Sequence, residues 1–267
     1  MLEGKRLLIT GLATPESIAF AAGEAALGLG ARVAFTAFPR DLDSARTSAA
    51  ELDRDIEVLP LDLCDGAAVD AVSACVEQGL GGLDGALHAV AFAPASALAG
   101  DLLSTPPADV ELAFRTSAWT LASLARVVRG LAPATGASLV GLDFDAGDRA
   151  WPVYNWMGVC KAALRSTSRY LARDLGRESI RVNLVAAGPI QTRAGLGIPG
   201  FEQLLDAWTS TAPLPWSTTD PSPVADAVCF LLSDMARAIT GEVLHVDGGY
   251  HAMAAPRSTG AGAEVCA

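Results

Sequence analysis

Residues 5–36 read KRLLITGLATPESIAFAAGEAALGLGARVAFT. A short apolar run (5–10) ends at Gly11, an Ala-rich helical segment occupies 17–29, and a second apolar run follows at 32–36. Runs that are apolar throughout belong to parallel strands covered on both faces, so the order predicts strand, turn, helix, strand. Glycine at the turn lets the backbone bend sharply and come close to a ligand. Ser17 is a natural N-cap, and the free amides and dipole of a helix start favour a phosphate. The spacing is Gly-x5-Ser-x-Ala and not the full G-x-G-x-x-G fingerprint. By itself it is equally an ordinary strand-to-helix turn.

The alternation continues along the chain. Residues 56–61, 85–91, 137–142, 180–186 and 242–246 are predicted strands, and 41–53, 67–78, 108–131, 154–176 and 223–232 are predicted helices. Repeated strand–helix units predict the α/β class: a Rossmann-like, doubly wound, seven-stranded parallel sheet flanked by helices. A single domain is expected over residues 1–252. Residues 188–217 break the rhythm around a short amphipathic piece at 200–208, and so long a connection predicts a substrate-binding lid. Residues 253–267 are small and polar and predict a flexible tail.

The chain has 267 residues, 51% of them apolar and 18% charged, which excludes global disorder. Nineteen Lys and Arg against 30 Asp and Glu leave a net charge of −11, unsuited to nucleic acid. The longest uncharged apolar stretch, 85–100, falls short of the roughly 20 residues that span a membrane. The apolar run near the N-terminus is too short for a signal-peptide core. Cys64, Cys75, Cys160, Cys229 and Cys266 are odd in number and form no C-x-x-C pair, so neither a disulfide framework nor a metal site is expected. A reducing cytoplasm fits this pattern.

Chemistry-bearing residues gather at the predicted strand ends. Phe38 follows the second strand and is placed to stack on adenine, with Arg40 close by and no carboxylate ending the strand. Asp62 and Leu63 follow the third strand; Asp62 either accepts from an adenine amino group or caps a helix. Phe144 follows the fifth strand. Tyr154 and Lys161 are seven apart, 20° short of two helical turns, and so share a face. A phenol with an ammonium on its face makes an acid and its electrostatic support. His88 reads as a core histidine, His245 and His251 as packing or subunit contacts, Cys160 as core, and Trp119 as a packing residue and not a substrate contact.

Several segments together resemble the divergent enoyl-acyl-carrier-protein reductases, within the short-chain dehydrogenases/reductases, especially the NADH-dependent actinobacterial and mycobacterial branch. They are Gly11 with Ser17-Ile18-Ala19-Phe20, Asp62-Leu63, His88 to Phe92, Gly141 to Asp145, Tyr154-Asn155-Trp156-Met157 with Lys161, Asn183 to Thr192, and Thr240-Gly241 with Val246 to Gly249. Tyr-x6-Lys is the specific feature, since ordinary members of the superfamily use Tyr-x3-Lys and Gly158 stands at that position here. The resemblance implies NADH-dependent reduction of a trans-2-enoyl thioester in fatty-acid or related synthesis. Under it, Tyr154 meets the thioester carbonyl, Lys161 the nicotinamide ribose, and Phe144 the nicotinamide. Gly11, Ser17 and Ile18 meet the pyrophosphate, Phe38, Asp62 and Leu63 the adenine, and Val90 and Ala91 the ribose. Ile190 and Thr192 meet the carboxamide and diphosphate, while Met157, Trp208 and the lid line the acyl pocket.

The resemblance also implies a homotetramer through the 108–131 and 154–176 helices and the last strand. Its implied substrate is a thioester of acyl-carrier protein or coenzyme A. Arg193 departs from the family, which usually has an apolar residue there, and with neighbouring cations it is expected to form a local positive rim near the lid where an acidic carrier docks. Ala89-Val90-Ala91 departs from the family's polar–apolar–small triplet, and the lid is short for a very long acyl chain. Two alternatives stay open: a carbonyl or imine reductase of the same superfamily, and a cofactor-binding paralogue without turnover.

Overall fold

The structure, a computed structural model, describes residues 1–256. The expected tail lies outside the described residues beyond 256. Seven strands form one sheet: β1 (Arg6–Thr10), β2 (Arg32–Ala37), β3 (Val58–Pro60), β4 (Gly85–His88), β5 (Ala137–Asp143), β6 (Ile180–Ala187) and β7 (Val243–Val246). Their order is β3-β2-β1-β4-β5-β6-β7, and every pairing is parallel. The helices are α1 (Ile18–Gly28), α2 (Leu42–Leu52), α3 (Gly66–Leu80), α4 (Pro107–Phe114), α5 (Thr120–Leu131), α6 (Asn155–Leu175), α7 (Arg193–Leu196), α8 (Glu202–Thr211) and α9 (Ser222–Leu232).

Side chains alternate across the strands, and each face needs its own cover. Leu7 and Ile9 of β1, with Val33 and Phe35 of β2, pack under α1, α2 and α9. Leu8 and Ala34 point the other way, onto Val69, Val72 and Val76 of α3 and Leu121 and Leu124 of α5. Both faces are therefore dry, which is why these strands are continuously apolar. The chain runs outward from β1 through β2 to β3, then crosses back to β4 on the other side of β1, so the strand order reverses between β1 and β4. In open α/β sheets ligands bind at this switch point, outside the carboxyl ends of the strands.

A third core cluster sits off the sheet, where Phe144, Tyr154, Met157 and Trp208 pack together with Phe201 and Leu204. It seats α8 and so ties the 188–217 connection to the ends of β5 and α6.

Two elements differ from the sequence expectation. The strand expected at 85–91 stops at His88, because its pairing with β1 ends at Leu87 and its pairing with β5 ends at His88, opposite Gly141. Residues beyond it leave the sheet, and Ala89 N–H donates to Thr10 Oγ1 at 3.3 Å. The helix expected at 108–131 is broken by a π-helical segment at Arg115–Trp119. Its hydroxyls are fastened to the strand-end loop: Ser117 Oγ accepts from Phe92 N–H at 2.9 Å, and Thr116 Oγ1 donates to Phe92 O at 2.9 Å. The inserted turn shifts the helical phase so that both hydroxyls reach that loop.

Candidate active site

A cleft of about 670 Å3 opens at the carboxyl ends of β1, β2 and β4. Gly11, Ser17 and Ile18 form one wall, and Val90 and Ala91 face them. Phe38, Asp62 and Leu63 line one end, Lys161 lines the cleft beside Leu142, and Thr192 contributes from the lid segment. Of the residues expected around a dinucleotide, Ile190 and Phe144 do not line the cleft; both are buried.

The β1–α1 turn is built for close approach. Gly11 has φ +83°, and a Cβ there would run into the Ala89 carbonyl of the facing loop. Ser17 caps α1 by accepting from Phe20 N–H at 3.1 Å. The amides of Ile18 and Ala19, at the first two positions of the helix, have no intrahelical acceptor. Thr14 Oγ1, on the same turn and in the cleft wall, is buried without a hydrogen-bond partner. Free donors at the positive end of a helix dipole, beside a backbone cradle that a Cβ would fill, fit a dinucleotide pyrophosphate.

At the other end Phe38 is 41% exposed, and the Arg40 guanidinium lies 4.9 Å from its ring centroid. Asp62 Oδ1 accepts from Cys64 N–H at 2.8 Å, while the cap of α3 is Asp65, which accepts from Ala67 N–H at 2.9 Å. Asp62 is thus a turn residue on the cleft wall and not a helix cap. β2 ends at Ala37 without a carboxylate, as expected, and one follows four residues on. A 3-10 turn at Pro39–Asp41 folds Asp41 back to the cleft, where it pairs with Arg193 at 2.6 Å and with Arg40 at 3.6 Å.

Tyr154 is the N-cap of α6 (φ −123°) and not part of its body. Val153 and Asn155 on either side hold φ of 59° and 27°, a region a β-branched residue rarely adopts. Lys161 follows within the helix, is 6% exposed, and its Nζ donates to Leu142 O at 3.0 Å. Burial pulls the Lys161 ammonium below its usual range, against the carboxylate of Asp143, which draws it up. Burial, with Asp143 adding to it, pushes the Tyr154 phenol well above its ordinary value. Tyr154 is therefore a neutral phenol at pH 7 and a hydrogen-bond donor.

The Tyr154 ring lies 4.9 Å from the Phe144 centroid, and Phe144 lies 5.4 Å from Trp208. Tyr154, Phe144, Met157 and Trp208 are buried in the aromatic cluster next to the cleft and do not line it. The expected site residues thus form two adjoining sets, joined where the β5 end meets α6. Leu142 and Lys161 belong to the cleft, and Phe144 and Tyr154 belong to the cluster.

His88 lies in the interior, as its strand position implies. Thr120 Oγ1 donates to Thr116 O at 2.8 Å and is 2.9 Å from His88 Nε2, so His88 carries its proton on Nε2. Its Nδ1 is buried without a partner, and burial with Lys161 nearby pulls the imidazole down to about 3. Trp119, expected to pack and not to bind substrate, is 43% exposed and does not line the cleft. Sequence reading missed Asp41, Thr120 and Arg115 as cleft residues. Asp41, four residues past the end of β2, was the one with a usable signal.

Comparison with known proteins bears on the same residues. A family model described as enoyl-(acyl carrier protein) reductase matches residues 11–251. The NADH enoyl-[acyl-carrier-protein] reductase of Mycolicibacterium smegmatis is 39% identical over 93% of this chain and 97% of its own. The Bacillus subtilis enzyme, named FabI, is 39% identical over 94% of this chain and 97% of its own. Among solved structures, the Bacillus cereus enoyl-acyl carrier protein reductase with NADP+ and indole naphthyridinone superposes with a TM-score of 0.90 at 35% identity, covering 95% of this chain and 99% of that one. The matched span takes in both the cleft and the aromatic cluster: this chain belongs to the enoyl-(acyl carrier protein) reductase family.

Proposed function

We propose that the protein reduces the Cα=Cβ bond of a trans-2-enoyl thioester with NADH, in fatty-acid or related acyl synthesis. The observation that carries this reading is the junction at Lys161: a dinucleotide-sized cleft reaches a buried ammonium on the helix that Tyr154 caps.

When bound, NADH supplies the hydride that adds at Cβ. Gly11, the first amides of α1 and Thr14 hold the pyrophosphate, and Phe38 and Asp62 flank the adenine. One of the three N–H donors of Lys161 is spent on Leu142 O, leaving two for ribose hydroxyls. Tyr154 donates to the thioester carbonyl. Its hydrogen bond strengthens as negative charge grows on that oxygen, so it lowers the barrier and not merely the substrate's KM. The resulting enolate takes a proton at Cα. Phe144 stacks beside the reacting bond, and Met157, Trp208 and the 188–217 lid enclose the acyl chain away from water.

Asp41 supports NADH over NADPH. It stands at the cleft beside Arg40, and Arg193 is already paired with it. A 2′-phosphate would meet that carboxylate with Arg40 as the counter-charge.

The partner is an acyl-carrier-protein thioester. The assembly is a homotetramer: Leu112, Phe114 and Trp119 are 41–46% exposed on one helical layer, Val159 and Tyr170 are exposed on α6, and β7 is an uncovered sheet edge. Among the described residues no helix is long and apolar enough to cross a membrane, and a cytoplasmic setting is part of this proposal.

The test is NADH oxidation with crotonyl thioesters of acyl-carrier protein and of coenzyme A, set against a panel of simple ketones and imines. Turnover confined to the thioesters is expected. Turnover with ketones or imines and none with crotonyl thioesters would move the assignment to a carbonyl or imine reductase.

A further inference from the structure

Arg165 lies one helical turn beyond Lys161 on α6 and is 3% exposed. Its Nε donates to Asp143 Oδ2 at 2.6 Å and its Nη2 to Phe144 O at 3.2 Å. Nη1 bonds Asp148, and Asp145 Oδ1 is 3.9 Å from Nη2. The loop after β5 therefore wraps one guanidinium. Gly147 lets it do so, because a Cβ there would sit 2.7 Å from Arg165 Nε. Lysine, a point charge on a flexible stem, cannot replace such a planar fork.

The three carboxylates do not depend on Arg165 equally. Asp148 is 71% exposed and solvated. Asp145 has another cationic neighbour, Arg149 at 3.3 Å, and the His245 imidazole at 3.7 Å. Asp143 is wholly buried, and its Oδ1 has no hydrogen-bond partner. The other cation acting on it is Lys161. Without Arg165, the Asp143 carboxylate would have Lys161 alone to pair with, and Lys161 would turn from the cleft to its own neighbour.

We infer that Arg165 is a positioning residue: its guanidinium occupies Asp143 so that Lys161 remains available to the cofactor, and it fixes the loop that sets Phe144 against Tyr154. This rests on the reading of Lys161 as the cofactor's ribose ligand. The two jobs separate experimentally. Freeing Asp143 weakens cofactor binding, whereas loosening the loop lowers kcat.

The experiment titrates NADH calorimetrically into wild type, Arg165→Met, Asp143→Asn and the double variant, with thermal melts to establish folding and Lys161→Ala as a control. Arg165→Met is expected to weaken NADH about tenfold, the lower end of what one lost charge-assisted contact from Lys161 contributes. Adding Asp143→Asn should restore affinity to within about threefold of Asp143→Asn alone, because the competing charge is gone. A merely structural role would leave the double variant no better than Arg165→Met, and that result overturns the inference. Wild-type affinity in Arg165→Met overturns it as well. If Lys161→Ala also binds NADH like wild type, the reading of Lys161 has failed; if only Lys161→Ala loses affinity, the failure is confined to Arg165. Should Arg165→Met not fold, the double variant against Asp143→Asn decides, and a tenfold deficit in the double variant counts against the proposal. Arg165→Lys tests the loop: NADH affinity held within about threefold with kcat down about tenfold is expected, and unchanged kcat contradicts it.

Discussion

Arg193 Nη2 and Asp41 Oδ1 meet at 2.6 Å although they are 152 residues apart in the chain. The pair joins the first turn of the lid to the turn after β2, and both residues line the cleft. Arg193 is therefore not a free cation for an acidic carrier protein, and the expected docking rim has to share it with Asp41. Its side chain is 52% exposed, so the pair belongs with surface ion pairs, worth about 0–1 kcal/mol. Arg193→Ala is expected to raise the NADH Kd less than about fivefold at low salt. The effect should vanish above roughly 0.5 M salt, where the Debye length is only a few ångströms. An unchanged Kd at low salt would show that the clasp contributes nothing to cofactor retention.

Gly11→Ala tests the cradle. Alanine resists φ of +83°, and its methyl would collide with the Ala89 carbonyl. Both walls of the cleft would have to move, and strain of this kind costs about 1–3 kcal/mol. Fluorescence titration should show NADH binding weakened at least about tenfold, together with a lower Tm. Binding and melting like the wild type would mean that the turn does not hold the pyrophosphate.

The buried His88 makes acid stability a readout of the core. Its imidazole titrates near 3 in the folded protein and near the ordinary 6.5 when unfolded. Above about 6.5 both states are neutral and the full stability is present. As the pH falls toward about 3 the unfolded chain takes up a proton that the folded one refuses, so stability is lost through that window. The contribution of one such proton is at most about 1.4 kcal/mol per pH unit. Urea midpoints at pH 7, 5 and 4 should fall less steeply for His88→Gln than for wild type. Parallel slopes would mean that His88 is charged in the fold.

The fold is legible in the sequence because each strand is a continuous apolar run, and burial on both faces leaves no other composition for a parallel strand. Tertiary contacts override local pattern at the places where the reading fails. The π segment at Arg115–Trp119 forms because Thr116 and Ser117 fasten to Phe92, a partner invisible to helical periodicity. Asp41 escapes notice in the sequence because Pro39 begins a turn that carries the carboxylate back to the cleft. Arg165 has no signal at all, since a cation four residues after Lys161 ordinarily reads as a solvated helix face. Asp62 reads equally as an adenine contact or a cap, and the structure gives it a turn bond while keeping it on the cleft wall.

Tyr154 should act as a donor across the working pH range, since burial raises its phenol and keeps it protonated. Tyr154→Phe removes one hydrogen bond to developing enolate charge. The expected loss is in kcat, between about tenfold and 10³-fold, the upper figure being typical of a full oxyanion donor. The wild-type kcat profile should show no base-side fall from Tyr154 below pH 10. A kcat unchanged in Tyr154→Phe would remove this residue from the reaction.

Calorimetric titration of NADH into wild type, Tyr154→Phe and Lys161→Ala tests the division of labour most directly. Tyr154 lies in the aromatic cluster and Lys161 in the cleft, so the two variants should fail differently. Tyr154→Phe is expected to bind NADH within about twofold of wild type, since the phenol acts on the thioester in the transition state. Lys161→Ala is expected to bind at least about tenfold more weakly, having lost two charge-assisted contacts to the ribose. Equal NADH affinity in wild type and Lys161→Ala would contradict the assignment of Lys161 and the pairing of Tyr154 with it.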